Sequence, residues 1–260
     1  MSSGIIPVVS IQGLYKTFMR AEGGELNVLR DISLDVEQGE FVGIIGYSGC
    51  GKTTLLRIVC GFERAEDGLV LVDGLKHEKP GRNVLMLFQD FNQLFPWKTV
   101  LGNVVHPLVS TGFIKSRKDA KSRAMKRIAD VGLSGFENSY PHELSGGMKQ
   151  RAAVARALAL QPRVLLMDEP FASLDNITRR SLQELTCRVC DKYGVTVMFV
   201  THSVEEAVRM ATRIAVMNRK GNIERIFENP FRLSPACEGQ VLLVEEITGL
   251  MDRLRTGEQA

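Results

Sequence analysis

Apolar residues fall into two kinds of pattern along this chain. Short apolar runs and runs of β-type composition predict strands at residues 8–11, 32–36, 41–45, 69–74, 84–88, 163–168, 195–200, 213–217 and 222–227. Apolar positions at helical spacing predict helices over residues 119–131, 146–160, 178–191 and 203–210. Turns at 22–25 and 80–81 separate strands in the first third of the chain.

The alternation of strands and helices predicts an α/β fold built on a parallel sheet. Between about residues 99 and 160 the pattern is mostly helical, so a helical insertion is expected to interrupt that sheet. The segment 238–255 has one apolar helical face, which carries Leu243, Ile247, Met251 and Leu254. That helix is expected to pack on the core or on a partner, and the pattern leaves both possibilities open.

A glycine-rich loop follows the strand predicted at 41–45 and precedes a segment of helical character. Gly46, Gly51, Lys52 and Thr53 satisfy the pattern G-x-x-x-x-G-K-[ST]. The glycines let backbone amides wrap an anion, and the start of the following helix adds positive charge. The lysine can reach the β- and γ-phosphates, and the threonine hydroxyl can ligate Mg²⁺. A turn that matches by chance is the alternative, but the flanking strand and helix favour a nucleoside triphosphate site.

Composition and charge narrow the classes of function that fit. The 260 residues are 44% hydrophobic and carry a net charge of +3, which is too mild to indicate a nucleic-acid partner. No apolar run approaches the roughly 20 residues that span a bilayer, and the first residues lack a secretory-signal pattern. We therefore expect a soluble, cytosolic protein, and any membrane role would have to come through a partner. The basic stretch 115–127 is expected to be a solvated helix face, with anionic lipid or RNA as the alternative.

The cysteines form no convincing disulfide or zinc framework. Cys187 and Cys190 have C-x-x-C spacing, but they lie within a predicted helix and no second pair completes a zinc site. Reduced structural thiols are expected. Cys50 lies within the phosphate loop, which raises the hypothesis that its oxidation would impair nucleotide binding.

Two carboxylates, Asp168 and Glu169, follow the apolar run that begins near residue 163. Ligands of an open α/β sheet sit at the carboxyl ends of its strands, so these side chains are expected near the phosphate loop. Asp168 can hold Mg²⁺ beside Thr53, and Glu169 can orient the attacking water or accept its proton. An Asp-Glu pair alone more often marks a solvated loop, and the phosphate loop gives it this interpretation.

Gln89 and His202 follow two further predicted strands. The Gln89 amide could contact the metal and the attacking water, although a surface glutamine is the commoner case. Ser203 to Glu206 is predicted to form a capping box that starts the next helix. That arrangement would hold the His202 imidazole at the sheet edge shared with Gln89 and Asp168, and a purely structural histidine is the alternative.

A second candidate anion site begins at Ser145. Ser145, Gly146 and Gly147 open the helix predicted from residue 146, so its amide groups could meet a phosphate. Two such sites for one γ-phosphate make sense if they come from different subunits. A helix start after a flexible turn is the plainer interpretation.

Together, the order and spacing of these motifs resemble the nucleotide-binding subunit of an ABC transporter, from about residue 8 to 227. The matching positions are the Walker A loop (Gly46, Tyr47, Ser48, Gly49, Cys50, Gly51, Lys52, Thr53 and Thr54), the Q-loop (Gln89), the signature motif (Leu144, Ser145, Gly146, Gly147 and Met148), Walker B (164–168), the catalytic Glu169, the D-loop (173–175, ending in Asp175) and the switch His202. Phe18 matches the aromatic residue that stacks on adenine, with Tyr15 the less favoured candidate. Met148 replaces the usual glutamine, Phe18 replaces the more frequent tyrosine, and residues 172–175 invert the usual small-residue order before Leu-Asp.

The resemblance implies a single ATPase domain over residues 1–260 with the P-loop NTPase (RecA-like) fold. About 1–94 and 162–230 would form the α/β core together with an N-terminal antiparallel β subdomain. About 95–161 would form the inserted α-helical subdomain with the signature motif, and 231–260 a helical tail. The implied cofactors are ATP and Mg²⁺, with Thr53, Gln89 and Asp168 at the metal and Glu169, His202 and Gln89 in catalysis.

The resemblance also implies partners. Two copies would face head to tail and sandwich two ATP molecules, each between one phosphate loop and the other copy's signature motif. The homodimer would bind transmembrane permease subunits, contact a periplasmic or extracellular solute-binding protein indirectly, and bind no nucleic acid. It would lie at the cytoplasmic face of the cell (inner) membrane as a peripheral protein.

The stretch 91–104 resembles bacterial importers for nitrate, sulfonates and taurine. The function expected is therefore ATP-driven uptake of a small oxyanion. An ABC ATPase that drives a non-import envelope process or a nucleic-acid-associated process is the alternative. Phe95 and Trp97 are expected to form a docking surface for a coupling helix of the permease, although they could instead belong to the core of the helical lobe.

Overall fold

Two β-sheets organise the computed structural model, which describes residues 6–20, 23–89 and 93–256. The strands are β1 (Val9–Met19), β2 (Glu25–Val36), β3 (Phe41–Gly46), β4 (Asp67–Val72), β5 (Leu75–Lys76), β6 (Val84–Leu87), β7 (Val164–Asp168), β8 (Thr196–Thr201), β9 (Arg213–Met217) and β10 (Ile223–Glu228). The helices are α1 (Lys52–Cys60), α2 (Val100–Ser110), α3 (Arg117–Asp130), α4 (Gly146–Ala159), α5 (Asn176–Lys192), α6 (Val204–Met210) and α7 (Glu238–Thr256).

The larger sheet has the strand order β10-β9-β3-β8-β7-β6. Its five strands β9, β3, β8, β7 and β6 are parallel, and β10 is antiparallel to β9 at one edge. Every residue of β3 and β8 is buried, as their continuous apolar composition predicts. The carboxyl ends of β3, β6, β7 and β8 therefore meet at one edge of the sheet, which is where the predicted site residues follow.

The smaller sheet is antiparallel, with the order β2-β1-β4-β5. The short strands predicted at 8–11 and 32–36 are wrong in extent, because β1 pairs with β2 from Val9↔Val36 to Met19↔Glu25. Exposed residues along both strands interrupt the apolar runs, while the backbone ladder continues through register shifts. The predicted turn at 22–25 lies partly outside the described residues. Apolar residues of α1 pack in one cluster with both sheets.

Helices α2, α3 and α4 pack on one another between β6 and β7 in the chain, in agreement with the predicted helical insertion. A polar cluster joins them to the end of α5. The Asp130 carboxylate accepts hydrogen bonds from the Lys192 ammonium at 2.6 Å and from the Tyr193 hydroxyl. The Arg127 guanidinium lies 3.6 Å from the centre of the Tyr193 ring and also donates to Asp130. Burial raises the pKa of Asp130, but these hydrogen bonds outweigh it and hold the pKa below its ordinary value.

We expect Asp130→Asn to lower the free energy of unfolding at pH 7 by about 1–3 kcal/mol. The amide has no negative charge and cannot accept all the hydrogen bonds that the carboxylate accepts from its neighbours. The carboxylate stabilises the fold fully above its ordinary pKa near 3.9, and this contribution is lost as pH falls through the lower folded-state pKa. The difference between variant and wild type should therefore shrink below about pH 4. Denaturant titrations at both pH values measure it. Asp252→Asn, which alters an exposed pair with Arg255, is the control and should have little effect.

Helix α7 packs on the core. It buries Leu243, Ile247 and Leu250, and Met251 and Leu254 are partly buried against the same apolar cluster. The choice left open by its sequence pattern is thus settled in favour of the core for the described residues. Among the described helices, none is both long and apolar enough to cross a bilayer.

Candidate functional site

The loop between β3 and α1 is shaped by glycines that admit no side chain. A Cβ atom at Gly46 would lie 2.7 Å from the Met217 carbonyl oxygen, and one at Gly51 would lie 2.6 Å from the Val28 carbonyl oxygen. Gly51 also has φ of 100° and is the N-cap of α1, where it offers no side chain to the first-turn amides. The loop can therefore approach an anion with its backbone and with the helix start.

Lys52 lies under this loop with only 6% of its surface exposed. Its ammonium donates to the backbone oxygens of Gly46 at 2.8 Å and Tyr47 at 3.0 Å. The Cys50 thiol is also buried and lies 3.9 Å from that ammonium. Burial raises the pKa of Cys50, so the thiol stays protonated and the oxidation hypothesis gains no support from its surroundings.

Thr53 and Asp168 bring two oxygen side chains together at the end of β7. The Thr53 hydroxyl donates to Asp168 Oδ1 at 2.9 Å. Burial raises the pKa of Asp168, the Thr53 hydrogen bond opposes this shift, and neighbouring Glu169 adds to it. A cation bound here would offset the cost of that buried negative charge, and hydroxyl and carboxylate oxygens suit Mg²⁺.

Glu169 and His202 face each other across neighbouring strand ends. Glu169 Oε2 lies 3.3 Å from His202 Nδ1. The Glu169 backbone has φ of 43°, in the left-handed region that residues with a side chain seldom adopt, and its N–H donates to the Val200 oxygen at 3.0 Å. A strained residue at a strand end beside the phosphate loop is typical of a functional site.

The corner that carries His202 is braced by a buried network. Ser203 caps α6, because its hydroxyl accepts from the Glu206 N–H at 3.2 Å. The predicted capping box is wrong in its second half, since the Glu206 carboxylate does not return to the cap. It turns inward and accepts from the Thr201 hydroxyl and, at 3.2 Å, from the Gln183 amide. These two buried donors satisfy the carboxylate, although burial still raises its pKa.

A cavity of about 360 Å³ lies between the phosphate loop, the start of α1 and Glu169. It is lined by Phe18, Val28, Ser48, Gly49, Gly51, Lys52, Thr53, Thr54 and Glu169. Phe18 is 37% exposed, and the Lys16 ammonium lies 4.8 Å from its ring centre. Gln89 is exposed two residues beyond β6, at the same sheet edge as Asp168, because β6 and β7 run parallel in register.

Sequence reasoning missed Val28, which lines this cavity, and Lys16, whose ammonium lies over the Phe18 ring. Lys16 lies two residues before Phe18 on β1, so the period of two along a strand could have indicated it. Val28 comes from β2, and its position depends on tertiary packing that leaves no local signal.

The signature stretch lies elsewhere on the chain. Ser145 is exposed and caps α4 by accepting from the Met148 N–H at 3.3 Å. A Cβ atom at Gly147 would lie 2.7 Å from Thr178 Cγ2, so α4 and the start of α5 touch closely there. Asp175 caps α5 through the Thr178 N–H at 3.0 Å, and that backbone hydrogen bond lowers its pKa. Within the described residues, neither Ser145 nor Asp175 is among those that line the cavity of the same chain.

Comparison with known proteins agrees with this geometry. A family model described as ABC transporter matches residues 29–172. The aliphatic sulfonates import ATP-binding protein SsuB of Bacillus anthracis is 42% identical over 224 residues, which are 85% of this chain and 86% of that protein. The chain belongs to the ABC transporter family. The predicted resemblance is thus confirmed.

Other relatives of this family are longer proteins. The nitrate import ATP-binding protein NrtC of Synechococcus elongatus is 39% identical over 80% of this chain. The bicarbonate transport ATP-binding protein CmpC of Synechocystis sp. is 42% identical over the same share. The chain spans about a third of the length of each, 32% and 31%.

A solved ABC structure confirms the predicted fold class. It is a dimer of the ATP-binding cassette MJ0796 in a post-hydrolysis state bound to ADP and Pi. Its TM-score with this chain is 0.74, with 32% identity over 88% of this chain and 100% of that chain.

Proposed function

We propose that this chain is the ATP-binding and ATP-hydrolysing subunit of an ABC importer. The observation that carries the proposal is the cavity lined by the phosphate loop, Thr53 and Glu169, with Asp168 hydrogen-bonded to Thr53. The ADP- and Pi-bound state of the related cassette supports the same chemistry.

The residues fit ATP and Mg²⁺. Because Gly46 and Gly51 have no side chain, the loop packs closely against the Met217 and Val28 carbonyl oxygens, and its backbone amides can face phosphate oxygens. Lys52 supplies a positive charge under the loop. Phe18 offers an exposed aromatic face for adenine. Thr53 and Asp168, with Gln89 from the next strand end, would hold the metal. Bound Mg²⁺ would neutralise charge that develops on the transferred phosphoryl group.

Glu169 is proposed as the group that orients the attacking water and accepts its proton. It lines the cavity, and its carboxylate lies within reach of the His202 imidazole. His202 would hold that carboxylate in place and contact the γ-phosphate side of the site. The buried Glu206 network keeps the His202 corner fixed.

The site is proposed to need two copies of the chain. Ser145 and its neighbours Gly146, Gly147 and Met148, like Asp175, stand outside the cavity of their own chain, while Ser145 is exposed at a helix start. In a head-to-tail homodimer they would close the cavity of the other copy. The dimeric state of the related cassette supports this arrangement.

The domain division is proposed as expected from the sequence. About 1–94 and 162–230 form the α/β core with the β subdomain, about 95–161 the helical subdomain, and 231–260 the tail. The contacts among α2, α3 and α4 support the proposal that about 95–161 form a separate helical subdomain.

A groove of about 480 Å³ is proposed as the docking site of a permease helix. It lies between the edge strand β6 and helices α2 and α4, and Phe95 lines it. Trp97 is 70% exposed and its ring centre lies 5.5 Å from that of Phe95, which favours a docking surface over a core role. Residues 91–92 of the sequence stretch that suggested this role lie outside the described residues. Docking there would hold the subunit at the cytoplasmic face of the membrane.

Replacing Trp97 with alanine should weaken binding to the permease about tenfold or more, because exposed aromatic anchors dominate interface energies. ATPase activity of the isolated subunit should stay unchanged. Pull-down of the permease with each variant measures this. Leu242→Ala is the control and should bind like the wild type, because Leu242 is an apolar residue of α7 that is 58% exposed. Equal binding by the Trp97 variant would contradict the docking site.

The transported solute is proposed to be a small oxyanion such as a sulfonate, taurine or nitrate. SsuB and NrtC, which are import proteins for aliphatic sulfonates and for nitrate, support this class. An envelope or nucleic-acid-associated ATPase is the alternative, and the single set of motifs disfavours it. Purification from membranes should recover a multi-span partner, and the reconstituted complex should show ATPase activity that such a solute stimulates. Recovery with nucleic acid or ribosomes, or activity indifferent to every oxyanion and its binding protein, would contradict the proposal.

A further inference from the structure

Helix α7 touches the phosphate loop directly. The Tyr47 hydroxyl donates to the Met251 carbonyl oxygen at 2.8 Å, although the two residues are 204 positions apart. The Arg219 guanidinium lies 5.1 Å from the centre of the Tyr47 ring. The residue after Gly46 is therefore held between the β9–β10 turn and the C-terminal helix.

Helix α7 has its own anchors. Leu243, Ile247 and Leu250 are buried in the apolar cluster that also contains Phe41 and Ile45 of β3. A salt bridge of 2.9 Å joins Arg225 and Glu246. These contacts join α7 to the core and do not involve the Tyr47 hydroxyl.

The same tyrosine holds the phosphate-binding lysine. The Tyr47 carbonyl oxygen accepts from the Lys52 ammonium at 3.0 Å and from the Cys50 N–H at 3.3 Å. A shift of the Tyr47 side chain would therefore move a backbone group that contacts both the loop and Lys52. One residue connects α7 to the centre of the candidate nucleotide site.

We propose that Tyr47 is a positioning residue through which docking of α7 stabilises the nucleotide-binding form of the phosphate loop. This inference rests on the proposed ATP site and adds the C-terminal helix to it. Coupling between two sites is reciprocal, so ATP binding must tighten α7 to the same degree that α7 tightens ATP binding. A hydroxyl that stabilised the ATP-free and ATP-bound forms equally would change neither the affinity for ATP nor the effect of ATP on α7.

The test compares full-length wild type with Tyr47→Phe, which keeps the ring and removes the hydroxyl. Tyr140→Phe is the matched control, because that ring stacks on His142 away from the loop. We expect the Kd for ATP·Mg to rise about 3- to 10-fold in Tyr47→Phe, in keeping with the loss of one hydrogen bond. The kcat should stay within about twofold of the wild type, because the hydroxyl positions the loop in both ground and transition states. The control should match the wild type in both.

Hydrogen exchange of residues 250–256 supplies the second readout. In the wild type, ATP·Mg should slow their exchange, and in Tyr47→Phe this slowing should be largely lost. An unchanged Kd in Tyr47→Phe, or no nucleotide-dependent protection of α7 in the wild type, would overturn the proposal. If wild type and control both fail to bind ATP, the proposed function fails instead. Equal thermal midpoints of the two variants exclude misfolding as the cause.

Discussion

Glu169→Gln should slow ATP hydrolysis about 10²- to 10⁴-fold and leave ATP binding intact. The amide has nearly the shape of the carboxylate, so the cavity and its contact region with His202 persist, but the amide cannot accept the proton of the attacking water. Since the bound ATP is not consumed, the variant should accumulate as an ATP-bound dimer. Phosphate release measures the first effect and light scattering with and without ATP·Mg measures the second.

Glu205→Gln is the matched control for this variant. Glu205 is exposed in the first turn of α6 and accepts only from the Ser203 hydroxyl among its described contacts. Its replacement should leave turnover unchanged. Turnover at the wild-type rate in Glu169→Gln would remove Glu169 from the catalytic role and leave the cavity without its proposed base.

Ser145→Arg should abolish hydrolysis while single-chain ATP binding stays at the wild-type level. Ser145 is exposed and is not among the described residues that line its own chain's cavity, so a bulky cation there should not disturb that nucleotide. It would instead block the approach of α4 to the nucleotide of the other copy. Equilibrium binding at low protein concentration and steady-state phosphate release measure the two effects.

The same substitution at a second helix cap controls for lost capping. Ser116 caps α3 by accepting from the Asp119 N–H at 3.3 Å, much as Ser145 caps α4. Loss of either cap costs about 1 kcal/mol of helix stability. Ser116→Arg should therefore lose that stability and still hydrolyse ATP. Normal hydrolysis by Ser145→Arg would mean that the site is complete within one chain.

Much of the candidate site could be predicted because its parts follow strands in the sequence. Local composition identifies β3, β7 and β8, and parallel strands bring their carboxyl ends to one edge. The Thr53–Asp168 hydrogen bond and the approach of Glu169 to His202 agree with that placement. Local sequence pattern and the parallel arrangement of the strands were therefore sufficient to predict where these residues lie.

Other features depend on tertiary contacts that no local pattern encodes. Glu206 stands at the position that the capping-box pattern requires, but its carboxylate instead accepts hydrogen bonds from the buried Thr201 hydroxyl and Gln183 amide. The strands β1 and β2 extend through polar stretches because their outer face is solvated and the ladder still closes. The contact between Tyr47 and Met251 joins distant parts of the chain, so only the folded structure reveals it.

Each nucleotide is proposed to lie between two chains of the dimer. The distance from Ser145 Oγ to the nearest γ-phosphate in a structure of ATP-loaded Glu169→Gln measures this directly. We expect a hydrogen bond of about 3 Å to the ATP held by the other copy's phosphate loop. A complex in which Ser145 lies far from every γ-phosphate, or contacts the ATP of its own chain, would contradict it.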